Sequence, residues 1–529
     1  MWPSKLRSFG IIFFLFVLGF FSRYLLKLEQ FSSFDSAQYG IATFYYSIAD
    51  KIPQAPGYFL YIMSGKLLTF WVGDPYTAFI LLSAFYSGLC AVMFYLLGRK
   101  LFSESVGFTS AIIFLSSPIF WYRGVTVYGY LNAAFFLLLT GYFCYLVMLG
   151  KSRSIYCASI AYGICIGVRP QEVIALLPLY LFVWSKVTGR QKLISAFLFG
   201  LTCLAWFIPL TSMSGGIWAY AKAVIGKDSN YLASDSVFQG AFFAKIQNHL
   251  FRMFVALERA YFLALIPLLY GIGHIFYLPN LLKQKNIQFL VLFMSPILLF
   301  NIFIQFGDMG HGLGWGLSFC LIIAEAIRLF AQDLERFLDK GNYFIRTIFS
   351  QRMIMVEYTT LCALFNSSIF FHDFHYDIYQ GYYKPVFDDR YFNYTNLKNI
   401  DRHLTQKITY IREHFKPEET VFLSKLFFRQ LSFIFPKAHV IRSDLLRTNS
   451  RPTLYVCYDF LCKIYSNHDS FLFPKEVKQL VVFDDIDLPF VLSSFPIQEV
   501  ALGKNTHFLI VDIAKAHQVH FSSQKIFVE

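Results

Sequence analysis

Asp35 stands in a short polar stretch, Phe34-Asp35-Ser36-Ala37-Gln38-Tyr39-Gly40, and Pro53-Gln54-Ala55-Pro56-Gly57-Tyr58 follows it. A carboxylate fixed at a membrane face can take a proton from an attacking hydroxyl within hydrogen-bond reach. It can equally cap the following helix, because Asp35-Ser36-Ala37-Gln38 has the form of a capping box. Arg123, in Trp121-Tyr122-Arg123-Gly124, and Arg169, in Gly167-Val168-Arg169-Pro170-Gln171-Glu172, sit at the ends of apolar runs. A charge at that depth is costly and as a rule has a partner. For Arg169 the partner is Glu172 or an anionic phosphate, which a planar guanidinium matches well; Arg123 has the same two readings. Asp308 and His311, in a glycine-rich loop, offer a base or a metal ligand, although a lone His among glycines reads first as a snug turn. Asp484-Asp485-Ile486-Asp487 holds a nominal Asp-x-Asp that an acidic turn after a strand explains as well.

The elements that must position these residues follow from composition. Hydrophobic residues make up 56% of the 529 and charged residues 15%, with a mean hydropathy of +0.49. Apolar runs long enough for about 20 residues of span recur through the first two-thirds of the chain and then stop. The fold class is a polytopic α-helical membrane protein, which excludes a purely soluble one. The net charge of +13 gathers at the ends of apolar runs, at Lys5/Arg7, Arg99/Lys100, Lys151/Arg153, Lys186/Arg190/Lys192 and Lys283/Lys285. These fall in every second connection, as the positive-inside rule requires, so the basic balance reports topology and not nucleic-acid binding. The run from Ile11 to Phe21 lacks a small-x-small cleavage site and reads as a signal-anchor span with a cytoplasmic N-terminus.

Spans are expected near 9–26, 77–98, 105–121, 131–149, 155–169, 172–185, 193–210, 255–277, 287–305, 313–330 and 353–372, about eleven in all. An odd count puts the C-terminal tail outside. Tyr58 to Trp71 is apolar but short, interrupted by Lys66, and reads as an interfacial helix. The outer connections are 27–76, a mixed polar stretch around 211–254, and the glycine-rich loop at 307–315. Residues 1–372 form the membrane domain and 373–529 a small extracytoplasmic α/β domain. In that domain, helical residues 398–416 precede strand-like runs at 420–423, 439–441, 453–456, 480–483 and 508–511. Of nine cysteines, seven lie in predicted spans and act as small apolar residues; Cys457 and Cys462 either pair or stay free. No zinc-ligand spacing, Walker loop, Gly-x-Ser-x-Gly or His-Glu-x-x-His occurs, which argues against an ATP-driven pump or a hydrolase built on those motifs.

The order of features resembles a known family. A signal-anchor span, an outer Asp and a Pro-Gly-Tyr helix start come first. A span ending in Gly98-Arg99-Lys100-Leu101-Phe102, then Ser117-Pro118-Ile119-Phe120-Trp121 and the Gly-x-Arg-Pro-Gln turn at 167–171 follow. This is similar to the GT-C superfamily of integral-membrane glycosyltransferases, which includes protein O-mannosyltransferases and bacterial aminoarabinose transferases; the resemblance covers roughly 9–330. It implies a transferase that takes a sugar from a polyprenyl-phosphate donor at the outer face of the cytoplasmic membrane and passes it, with inversion, to a lipid, glycan or protein acceptor. The family's first-loop acid maps onto Asp35, a general base, and its Pro-Pro-Gly-Tyr-like motif onto Ala55-Pro56-Gly57-Tyr58. Where the family often has a second acid, this chain has Gln38, and Gln54 and Ala55 replace the usual basic residue and first proline. Arg169 and Arg123 become candidates for the donor phosphate, and Gln38, Gln54, Tyr58, Tyr128, Glu172 and His311 for substrate contacts. No cofactor is implied, and a divalent cation is not indicated. The competing readings are a transporter or flippase of lipid-linked glycans and a catalytically inactive assembly subunit.

Overall fold

The structure is a computed structural model, which describes the chain except residues 1–3, 276–282, 307–308, 339–349, 373–392, 444–453, 466–470, 485–490, 494, 504–505, 514–517, 523–524 and 529. It divides into two compact units. One comprises Met1–Lys27 with Tyr58–Leu397, the other Leu28–Gly57 with Lys398–Glu529.

The first unit is helical. Among the described residues eight helices are long and apolar enough to cross a bilayer, or up to nine if the bent pair Glu104–Ser116 and Pro118–Val125 is one span. Two of the spans expected from sequence are the shorter apolar helices Ser154–Val168 and Val173–Ser185. Local chemistry sets the boundaries. Asp74 accepts from Thr77 N at 2.7 Å and Pro75 opens the helix that runs to Leu101, the missing proline N–H costing nothing at that position. Pro118 breaks the next apolar stretch after Ser117 and bends it by 61°, because a proline cannot donate to the preceding turn. The polar stretch expected around 211–254 as a connection is largely helical instead, in Ile217–Asp235 and Phe242–Tyr261. The latter belongs to a candidate span, Phe242–His274, that begins before the expected position 255. Its polar residues are accommodated by partners inside: His249 is fully buried and its Nδ1 meets the Ile302 carbonyl at 2.8 Å.

The second unit is a mixed sheet domain. Its strands are Thr420–Leu423 (β1), His439–Ser443 (β2), Leu454–Tyr458 (β3), Leu461–Tyr465 (β4), Phe471–Leu472 (β5), Gln479–Val482 (β6), Val491–Ser493 (β7), Ile497–Gly503 (β8), Thr506–Asp512 (β9), Gln518–Ser522 (β10) and Lys525–Val528 (β11). Seven form one sheet in the order β4-β3-β2-β1-β6-β9-β8, with β1 parallel to both β2 and β6; β5-β10-β11-β7 form a second. Alternation along β1 feeds two cores. Val421 and Leu423 pack with Ile441, Leu480 and Val511, while Phe422 packs under Leu404, Ile408 and Ile411 of the helix Tyr394–His414. Cys457 and Cys462 are directly opposed in the β3–β4 hairpin and form a disulfide. Asp484, the described part of the Asp-x-Asp run, is buried. It accepts from Ser424 Oγ at 3.0 Å and from the backbone N–H groups of Lys425 and Leu426, each at 2.6 Å. It ties β6 to the chain after β1; Asp485 and Asp487 lie outside the described residues.

Candidate functional site

The membrane unit gathers two buried cations, Arg123 and Arg169, around one ring. Arg123 lies in the last turn of the helix Pro118–Val125 and is 3% exposed. Its Cζ is 4.4 Å from the centroid of Tyr130, 4.6 Å from that of Tyr128 and 5.0 Å from that of Tyr122. Arg169 ends the helix Ser154–Val168, where Pro170 turns the chain into a single 3-10 turn, Pro170–Glu172. Its Cζ lies 3.9 Å from the same Tyr130 centroid, and the two side chains share a hydrogen bond. A guanidinium over an aromatic face is attracted by the ring quadrupole, more strongly once desolvated. Arg169 Nε also meets Glu172 Oε1 at 3.1 Å, with both side chains nearly buried, so of the two partners open to Arg169 the structure contains Glu172.

Tyr58 joins this cluster from the start of the helix Phe59–Val72, which it caps in a left-handed conformation. Its hydroxyl accepts from Gln171 Nε2 at 3.2 Å, and Arg169 lies 6.0 Å from its ring. The turn Met309–Gly312 brings backbone against Tyr130: a side chain at Gly310 would overlap the Tyr130 phenol. Asp308 and the side chain of His311 lie outside the described residues. Arg23, which nothing in the sequence marked, supports the Arg123 helix from behind. It is 1% exposed, donates to the Leu115 carbonyl at 2.7 Å, lies 4.7 Å over Trp121, and packs its stem against Gly124. The carbonyl it bonds is one that the break at Pro118 withdraws from the helix.

Asp35, Gln38 and Gln54 belong to the other unit. The helix Phe34–Phe44 is capped not by Asp35 but by Ser33, whose hydroxyl accepts from Ser36 N at 3.1 Å while Ser36 Oγ accepts from Ser33 N at 2.9 Å. This corrects the expected capping box: Asp35 is an exposed residue of the first turn, favoured there by the helix dipole. Gln38 is buried, and its Nε2 donates to the Lys51 carbonyl at 2.9 Å, closing the loop. The Gln54 carbonyl accepts from Gly57 N in the turn before Tyr58. The segment is bound to the sheet domain through Phe31 on Phe433 and Phe34 on Phe428, and Asp401 accepts from the N–H groups of Glu29 and Gln30. Burial holds the Asp401 carboxyl above its usual range against those donors, and does the same to Asp484. Among the described residues no group of three or more His, Cys, Asp or Glu could hold a metal ion.

Of the residues singled out from sequence, the structure thus brings Arg123, Tyr128, Arg169, Glu172 and Tyr58 into one cluster, and Asp35, Gln38 and Gln54 into one capped loop. Tyr122, Tyr130 and Gln171 are additions. The available signal was at Arg123 alone, which Tyr122, Tyr128 and Tyr130 flank at short spacing.

No family model and no curated protein matches the chain by sequence. Solved structures do match. The crystal structure of ArnT from Cupriavidus metallidurans bound to undecaprenyl phosphate is 10% identical, with a TM-score of 0.55 over 96% of this chain and 98% of that one. The apo form of the same protein matches at 10% identity and a TM-score of 0.53, over 97% and 98%. The likeness runs along nearly the whole of both chains and is one of fold: this chain is a polytopic helical protein with a small C-terminal sheet domain.

Proposed function

We propose that the protein is a GT-C-type glycosyltransferase that moves a sugar from a polyprenyl-phosphate-linked donor to a lipid, glycan or protein acceptor at the outer face of the cytoplasmic membrane. The observation that carries this reading is the convergence of Arg123 and Arg169 on Tyr130. Two buried guanidiniums are held where an anionic phosphate would be bound by charge-assisted hydrogen bonds. The undecaprenyl phosphate in the ArnT structure supports the donor class.

In this reading the N-terminus is cytoplasmic and the sheet domain extracytoplasmic. Arg123 and Arg169 hold the donor phosphate and stabilise the charge it gains as the bond to the sugar breaks. Asp35 takes the proton of the acceptor hydroxyl as the oxygen attacks the anomeric carbon. The bond from that carbon to the phosphate oxygen breaks on the opposite face, so the configuration inverts and polyprenyl phosphate departs. Tyr58, Tyr128 and Glu172 order the arginines, and Gln38 and Gln54 shape the loop that carries Asp35.

The test is Asp35→Asn in the full chain, assayed for transfer from a polyprenyl-phosphate sugar. Loss of a general base costs about 10²–10⁴-fold in rate, with undecaprenyl phosphate binding retained. Transfer at the wild-type rate would remove Asp35 from the mechanism. Movement of lipid-linked sugar across a vesicle membrane without transfer would replace the reading by a flippase.

A further inference from the structure

Three helices of the membrane unit, Ser4–Tyr24, Glu104–Ser116 and Gln351–Phe371, enclose a groove of about 530 Å³. Its walls are mainly apolar, with Ile11, Phe108, Ile112, Met355, Val356 and Leu364, and carry the hydroxyls of Ser105, Thr109, Thr359, Thr360 and Ser367 between them. The wall hydroxyls of Thr109 and Thr359 are already engaged with each other at 3.3 Å. Along its longest wall the groove runs from Arg352 to Ser367, about 22 Å of helix at 1.5 Å per residue. That exceeds half of the roughly 30 Å hydrocarbon thickness, so a single lipid tail entering from one leaflet fits within its length.

Charge is confined to one end. Arg7, Glu104 and Arg352 line the mouth, and Arg99, which donates to Ser8 Oγ at 3.1 Å, adds a further guanidinium beside it. Arg7 and Glu104 approach to 3.5 Å, but their side chains are 57% and 43% exposed. Exposed pairs of this kind contribute little, so Arg7 can exchange Glu104 for a phosphate at small cost. The guanidinium fork matches phosphate oxygens bidentately. None of the residues around Tyr130 lines this groove. Glu104 is at its mouth, whereas Arg123 lies near the opposite end of the same bent helix pair.

We propose that this groove binds one anionic phospholipid, with its phosphate at Arg7 and Arg352 and one acyl chain along Gln351–Phe371. The site is independent of the transferase reading. The test uses the full-length protein in detergent, incubated with phosphatidylglycerol or with phosphatidylcholine of identical chains, and counts retained lipid by native mass spectrometry. Wild type is expected to keep one phosphatidylglycerol with about tenfold preference, the scale of a charge-assisted hydrogen bond. Arg352→Glu is expected to abolish the preference, and Ala363→Trp, which fills the groove, to lower retention of both lipids. Equal retention of the two lipids by wild type would overturn the proposal, as would undiminished phosphatidylglycerol in Arg352→Glu, a surface variant that leaves packing intact. Retention of undecaprenyl phosphate that is lost in both Arg352→Glu and Ala363→Trp would assign the groove to a different lipid and overturn it too.

Discussion

The pairing of Arg169 with Glu172 can be separated from any role in phosphate binding by a three-variant series. Both side chains are nearly buried, 7% and 9% exposed, and 3.1 Å apart. Arg169→Gln leaves a buried carboxylate without its cation, an error that costs about 3–5 kcal/mol. Arg169→Gln/Glu172→Gln removes both charges and is expected to recover most of that loss, because a buried pair replaced as a whole is close to neutral. Donor binding behaves differently. A hydrogen bond to a charged group is worth about 1.5–3 kcal/mol, so both variants lacking Arg169 are expected to bind undecaprenyl phosphate roughly 10- to 150-fold more weakly. Glu172→Gln alone frees Arg169 from its competing anion and is expected to tighten that binding while lowering stability. Thermal unfolding of the purified protein and titration with undecaprenyl phosphate give the two readouts. If the double variant binds the lipid phosphate as wild type does, Arg169 serves only Glu172 and the phosphate assignment fails. If the single variant is as stable as the double, the pair is not coupled.

Two further predictions rest on packing and burial. Gly124→Ala drives a methyl group into the stem of Arg23 and is expected to cost about 1–3 kcal/mol as overpacking; weaker undecaprenyl phosphate binding should accompany it, since the same helix carries Arg123, and unchanged stability would show that Arg23 gives way. Asp484 is held above the usual carboxylate range by burial, so its protonation favours the folded state. The stability this contributes is full below the ordinary value near 3.8 and is lost as the pH rises through the raised one. The stability of wild type relative to Asp484→Asn, read by thermal unfolding, is therefore expected to rise as the pH falls from 7 to about 4; a difference that falls or stays flat would refute the burial argument.

Much of the architecture was legible because one signal, apolar run length, dominates a membrane chain. The places where spans were expected all carry apolar helices, and basic residues marked their ends. The expected span start at 255 was late because the stretch before it is mixed and polar, yet His249 and Arg252 within it are bonded to backbone carbonyls at 302 and 306. Strands β1, β2, β3, β6 and β9 were visible as short apolar runs. Strand β4 was not, since the tight turn before it is Asp459-Phe460, with φ of 46° and 68°, lacking the Asn or Gly that such a turn usually announces. For the candidate site, the sequence revealed the charged members and their depth. It hid Arg23 and Tyr130, since a basic residue ending a span and a tyrosine opening one are ordinary. Only contact distances show what they hold.

The division of the chain has a consequence for its biosynthesis. Leu28–Gly57 is made directly after the first membrane helix, but its partners, Asp401, Phe428 and Phe433, are made only after every candidate membrane span. During synthesis the segment bearing Asp35 therefore waits, with Phe31 and Phe34 lacking Phe433 and Phe428, until the chain past Phe433 has emerged. A chain stopped before residue 398 would keep every candidate membrane span and still lack the surface that folds the Asp35 loop.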